Sequence, residues 1–196
     1  MAEASRYSVN GQETNILENK LGIHNTKLLE DTETLLLSDS YNYFLELHAK
    51  NKIQFNTKLL FKIHKYFLDP LYHWAGKIRT VEISKAGILF CASLQIENEL
   101  KKLNRNIQAT IAANENNFSK ELAVLHCEYN AIHPFRDGNG RTIRLFLDLL
   151  AIKKGYNFIN YSKVTHITYI EACIAGMQKD YSKMEEIFNL SLTIRK

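Results

Sequence analysis

His133-Pro134-Phe135-Arg136-Asp137-Gly138-Asn139-Gly140-Arg141-Thr142-Ile143-Arg144 is a polar, glycine-punctuated turn between two helical runs, and its reading decides the fold. Upstream, residues 119–132 repeat apolar side chains at helical spacing, with Ser119 at their start, and lead directly into His133. Downstream, Ile143, Leu145, Phe146, Leu149, Leu150 and Ile152 make an amphipathic run over residues 141–154 that Gly155 ends.

Each polar residue of the turn suits phosphate chemistry. Gly138 and Gly140 flank Asn139, so the backbone can take positive φ angles and turn its N–H groups inward as an anion nest. The following helix adds its positive N-terminal end. Arg141 and Arg144 stand three residues apart on that helix's first turn, so both can reach a polyphosphate from one face. Asp137 offers the single carboxylate that, with phosphate oxygens and waters, can hold Mg²⁺. A neutral His133 imidazole could take the proton of an attacking hydroxyl. Phe135 reads as the apolar anchor of the turn.

Outward from the turn, helical spacing recurs over residues 25–50, capped by Asn25 or Thr26, and over 57–68, capped by Asn56 or Thr57 and stopped by Asp69-Pro70. Residues 95–113, 165–179 and 182–192 read the same way. Residues 80–85 alternate β-branched side chains, pause at Ala86-Gly87 and resume as Ile88-Leu89-Phe90-Cys91, a small hairpin. Residues 14–22 read as a short helix or an extended strap, and residues 1–13 as a loose arm ahead of a single domain over 14–196.

Composition agrees. Of 196 residues 45% are hydrophobic, enough for one substantial core, and only 2 prolines and 8 glycines interrupt the periodic runs. The formal charge of +4 is spread along the chain, too little to argue for a specific nucleic-acid partner. Three widely spaced cysteines form neither a disulfide framework nor a CxxC pair, which suits a reducing cytoplasm. The first twelve residues lack an apolar signal core and no run approaches the ~18 apolar residues of a membrane span. The expectation is a cytoplasmic protein with no membrane association, although secretion as an effector is compatible with the sequence.

The twelve-residue turn resembles the signature of the Fic family, HxFx(D/E)GNGRxxR. The stretch Trp74-Ala75-Gly76-Lys77-Ile78-Arg79-Thr80-Val81 is similar to the approach to that family's hairpin flap. The resemblance implies an all-α Fic fold, a bundle of about seven to nine helices with a β-hairpin flap near residues 80–91. It implies a nucleotidyltransferase that binds ATP and Mg²⁺ and moves AMP onto a Tyr, Thr or Ser hydroxyl of a target protein, releasing pyrophosphate. It makes His133 the general base, Asp137 the metal ligand, Gly138 to Gly140 the phosphate nest, Asn139 a phosphate contact, and Arg141 and Arg144 the guanidinium clamps. Ile83, Ser84 and Lys85 would belong to a flap that aligns the target by strand addition.

Relatives are often restrained by a glutamate in the pattern (S/T)xxxE(G/N), which pairs with the second signature arginine. Thr14-Asn15-Ile16-Leu17-Glu18-Asn19 fits it, making Glu18 an inhibitory candidate against Arg144; otherwise restraint comes from a separate small antitoxin protein or is absent. Rival readings are transfer of another phosphate-containing group, a non-catalytic toxin or regulatory module, and AMP removal assisted by Glu18. His126, seven residues before His133, reads as structural, since no zinc ligand pattern accompanies it. His48, His64, His73 and His166 receive no catalytic role.

Overall fold

The structure, a computed structural model, describes residues 7–9, 12–14, 16–85 and 88–195, the first two segments as backbone alone. Among the described residues seven α-helices dominate: α1 (Thr26–Ala49), α2 (Thr57–Leu68), α3 (Ile96–Ala112), α4 (Glu115–Ile132), α5 (Asn139–Lys153), α6 (His166–Met177) and α7 (Ser182–Ser191). The all-α reading with a small hairpin holds.

Side-chain caps set several starts. The Asn25 amide oxygen accepts from Leu28 N at 2.9 Å and that of Asn56 from Leu59 N at 3.2 Å, so asparagine rather than the following threonine caps α1 and α2. Asn114 caps α4 through Asn117 N at 3.1 Å. That helix therefore starts at Glu115, ahead of the Ser119 read from sequence, because the early turn is polar and carries little periodic signal.

The downstream run departs from its amphipathic reading. In α5 every residue from Leu145 to Ala151 is buried, because it is the central helix and packs against α1, α2 and α4. Its one buried acid there, Asp148, accepts from the Tyr41 hydroxyl at 2.7 Å and from Ile159 N at 2.9 Å. The main core joins α5 to α2, α3, α4 and α7. A second cluster, Leu29, Phe67, Leu68, Leu71, Tyr72 and Ala75, is covered by Ile16, Leu17 and Ile23. Residues 16–25 are thus an extended strap, tied by Lys20 N to Leu71 O at 2.7 Å.

Four short strands form one sheet in the order β2-β1-β3-β4: β1 (Tyr7–Val9), β2 (Gln12–Thr14), β3 (Ile83–Lys85) and β4 (Ile88–Leu89), every neighbour antiparallel. The expected hairpin is present as β3 and β4, with Ser84 opposite Leu89. Its pause at Ala86-Gly87 lies outside the described residues, as does most of the arm expected over residues 1–13. The described parts of that arm are paired strands, Ser8 standing opposite Ser84. No described helix is long and apolar enough to cross a membrane.

Candidate active site

His133 ends α4 in the left-handed conformation, φ 48° and ψ 61°, which is uncommon for a residue with a Cβ and reverses the chain into the turn. The residue is 6% exposed yet lines a cleft. Nδ1 donates to the Asn130 carbonyl at 3.2 Å, so the lone pair lies on Nε2, the nitrogen able to accept a proton. Burial, helped by the Arg79 and Lys85 charges and opposed by Asn130 and Asp137, pushes the imidazole down to about 4, so it is neutral at pH 7.

The hairpin holds this histidine from the other side. Phe90 stacks on the ring with centroids 3.8 Å apart. Arg79 is 4% exposed and works as a clamp on the end of α4: Nε donates to His133 O at 2.8 Å and a terminal nitrogen to Ile132 O at 3.3 Å. The same guanidinium donates to Val81 O at 2.7 Å and to Cys91 O. One cation therefore satisfies the orphan carbonyls of a helix terminus and binds the base of the hairpin to them.

Within the turn, the Asn139 side chain closes a loop on Phe135, accepting from its N–H at 3.0 Å and donating to its carbonyl at 2.8 Å. The phosphate contact expected of Asn139 is thereby left to its main chain, because both ends of its amide are committed. His64, buried on α2, locks the next residue: Gly76 N donates to Nδ1 at 2.8 Å, which fixes the proton on Nε2 for donation to Asp137 O at 2.9 Å. Its ring stacks on Phe135 at 3.7 Å, and burial pushes it down to about 4.

The two glycines differ in purpose. Gly138, φ 75°, caps α5, and a Cβ there would lie 2.6 Å from Leu68 Cδ1. Gly140 is helical, and a Cβ there would meet nothing within 4 Å. The expectation of positive φ at both is met by Gly138 alone; Gly140 instead leaves backbone open to the cleft. Gly138 N donates to Asp137 Oδ1 at 2.5 Å, and no side chain caps α5, so the first N–H groups of the helix, at Asn139 and Gly140, carry its positive end.

The cleft, about 310 Å³, brings together His133, Asp137, Gly138, Gly140, Arg141 and Arg144 with Lys85, Ile88 and Phe90 of the hairpin side. Arg141 pairs with Glu33 at 2.5 Å and lies 3.5 Å from Asp137 Oδ2. Arg144 spreads over the Tyr169 and Tyr161 rings at 5.1 and 5.8 Å. Helix α6 supplies an apolar wall with Tyr169, Ile170 and Cys173. Among the described residues no group of three or more His, Cys, Asp or Glu gathers as metal ligands. Asp137 in the cleft fits a divalent ion only with oxygens from a ligand, as one carboxylate plus phosphates would provide.

Other expected residues stand apart from this group. Glu18 is exposed and lines a separate cleft with His73, Trp74 and Arg136, away from Arg144. Ile83 is fully buried, Ser84 is half-buried, and only Lys85 of that triplet lines the cleft. Strand β3 has β1 on one edge, paired at Ile83 and Ser84, and β4 on the other, so the expected docking edge is filled at Ile83 and Ser84. His126 donates or accepts at the Tyr169 hydroxyl, 2.7 Å away, as a structural residue of α4. Arg79, His64, Glu33, Phe90 and the α6 wall were missed. Two of these had a signal, Arg79 in the stretch leading to the hairpin and Phe90 in the hairpin itself.

Residues 54–151 match the Fic/DOC family. The chain is 32% identical to the protein adenylyltransferase VbhT of Bartonella schoenbuchensis over 97% of its own length, and spans 40% of the length of that relative. It is 28% identical to a protein of Salmonella typhimurium named as a probable protein adenylyltransferase Fic, covering 91% of this chain and 88% of the other. In structure it is similar to the N-terminal Fic domain of a VirB-translocated Bep effector protein of Bartonella quintana with bound ADP: TM-score 0.78, 25% identity, 93% of each chain covered.

Proposed function

Since this chain belongs to the Fic/DOC family, we propose that it is a protein adenylyltransferase that takes ATP into the cleft and moves AMP to a Tyr, Thr or Ser hydroxyl of a target protein. The observation that carries this reading is the meeting, in one cleft, of a neutral His133 with the open N-terminus of α5, Asp137 and two arginines.

In this reaction Nε2 of His133 accepts the proton of the target hydroxyl as its oxygen bonds to the α-phosphorus of ATP. The bond from that phosphorus to the oxygen bridging to the β-phosphate breaks, and pyrophosphate leaves with the electron pair. The N–H groups of Asn139 and Gly140 stabilise the charge on the phosphate oxygens, Gly138 N being held by Asp137 Oδ1, and Arg141 and Arg144 grip the polyphosphate. Asp137 would hold Mg²⁺ together with phosphate oxygens, the ion neutralising polyphosphate charge.

For the target, β4 rather than β3 offers an edge, and Leu89 on it is 64% exposed. An extended target segment adding at Ile88–Leu89 would run beside Lys85 and the cleft. Restraint belongs to a separate small antitoxin protein, since Glu18 and Arg144 line different clefts. We place the reaction in the cytoplasm of whichever cell holds the target.

The test incubates the chain with α-labelled ATP, Mg²⁺ and a bacterial lysate, with His133→Ala in parallel. Label on protein that depends on His133, self-labelling included, is the expected result; its absence across several nucleotides would overturn the proposal.

A further inference from the structure

Helix α1 carries a glutamate whose side chain is 1% exposed, in a position where an apolar residue would normally pack. Glu33 Oε2 accepts from a terminal nitrogen of Arg141 at 2.5 Å, and Oε1 accepts from the Tyr72 hydroxyl at 2.6 Å. Tyr72 is itself 1% exposed in the turn after α2, stacked on Trp74 at 4.4 Å. The carboxylate therefore ties α1, that turn and the first turn of α5 at one point. Beneath it the Arg141 guanidinium lies 4.9 Å from the Phe67 ring centroid.

We propose that Glu33 is a positioning residue for nucleotide binding: a buried anion on α1 that holds the Arg141 guanidinium in the cleft in the pose that grips phosphate. The inference rests on reading the cleft as a nucleotide site. Burying a carboxylate is costly and is tolerated where it is paired and hydrogen-bonded. Here the pairing does not withdraw the arginine. Arg141 still lines the cleft and keeps 26% of its side chain exposed. A guanidinium has more donors than one carboxylate can take, so Glu33 can anchor one side of the fork while another meets phosphate. Arginine gains from this because a long side chain otherwise samples many rotamers, and a fixed fork loses less freedom when the ligand arrives.

Calorimetric titration of the full chain with a non-hydrolysable ATP analogue and with adenosine tests the role. For Glu33→Ala we expect ATP-analogue affinity to fall about tenfold, the scale of coupling between residues in one network, with adenosine affinity little changed. Glu33→Gln keeps the shape and both hydrogen-bonding positions, so it retains the fold and recovers part of the affinity. In an Arg141→Ala background, Glu33→Ala adds no further loss. Equal losses for the analogue and adenosine, additive losses in the double variant, or tighter binding in either Glu33 variant would overturn the inference. Wild-type protein that binds no ATP analogue would refute the nucleotide reading itself. Normal wild-type binding with both Glu33 variants unaffected would refute only the part given to Glu33.

Discussion

The turn from His133 to Arg144 and the hairpin of β3 and β4 face each other across the same cleft and are secured differently. In the turn, fixation is dense and local: Asn139 is closed on Phe135, His64 on Asp137, and Arg141 on Glu33. The hairpin is held from outside, by β1 along β3, by Arg79, by the Cys91 N to Ala131 O hydrogen bond at 3.0 Å, and by Phe90 against His133. The difference separates two tasks. In the function proposed above, groups that would meet phosphorus at a fixed distance sit on buried scaffolding, whereas the edge that would meet a target protein lies on a short sheet.

That contrast can be broken or sharpened by substitution. The largest effect falls on transfer: His133→Ala should lower the labelling rate by about a hundredfold or more while ATP binding, measured by calorimetry, stays near wild type. Next is the joint between the two regions. Arg79→Met leaves the carbonyls of Ile132, His133, Val81 and Cys91 without their cation, and should cost about 3 kcal/mol in urea unfolding, with faster amide exchange in the hairpin. Gly138→Ala should cost about 1–2 kcal/mol for its left-handed backbone, before any contact with Leu68. Gly140→Ala should leave unfolding almost unchanged and weaken ATP binding, because its methyl enters the cleft.

Acid provides a graded effect. Burial lowers His64 and His133 to about 4 and His126 to about 3, so between these values and the ordinary 6.5 the unfolded chain binds more protons than the folded one. Stability is therefore retained above about pH 6.5 and lost as pH falls toward 4, by up to about 1.4 kcal/mol per unit for each histidine. Thermal unfolding at pH 7 and pH 5 checks the sign. Least affected should be Leu89→Lys on the exposed strand edge, with unfolding shifted by no more than about 0.5 kcal/mol but labelling of a protein target reduced.

Why the turn could be read and its supports could not follows from distance along the chain. His133, Asp137, Gly138, Arg141 and Arg144 lie within twelve consecutive residues, so their register carries the chemistry before any folding is considered. Glu33, His64 and Arg79 reach the turn only through packing, from partners 54 to 108 residues away. In sequence Glu33 and His64 are ordinary helix residues, and only the stretch before the hairpin marks Arg79. The strands β1 and β2 have three residues each and no usable alternation, so their pairing with the hairpin left no trace. Helix α5 was legible as a helix, but the burial of every residue from Leu145 to Ala151 was not, because packing neighbours and not period decide it.

The central claim, AMP transfer at His133, is tested most directly by two parallel incubations of the chain with Mg²⁺ and a lysate, one with ATP labelled at the α-phosphate and one with ATP labelled at the γ-phosphate. The account predicts protein-bound label from the α position only, lost in His133→Ala. Label arriving from the γ position would mean that phosphate itself is transferred, and would contradict it.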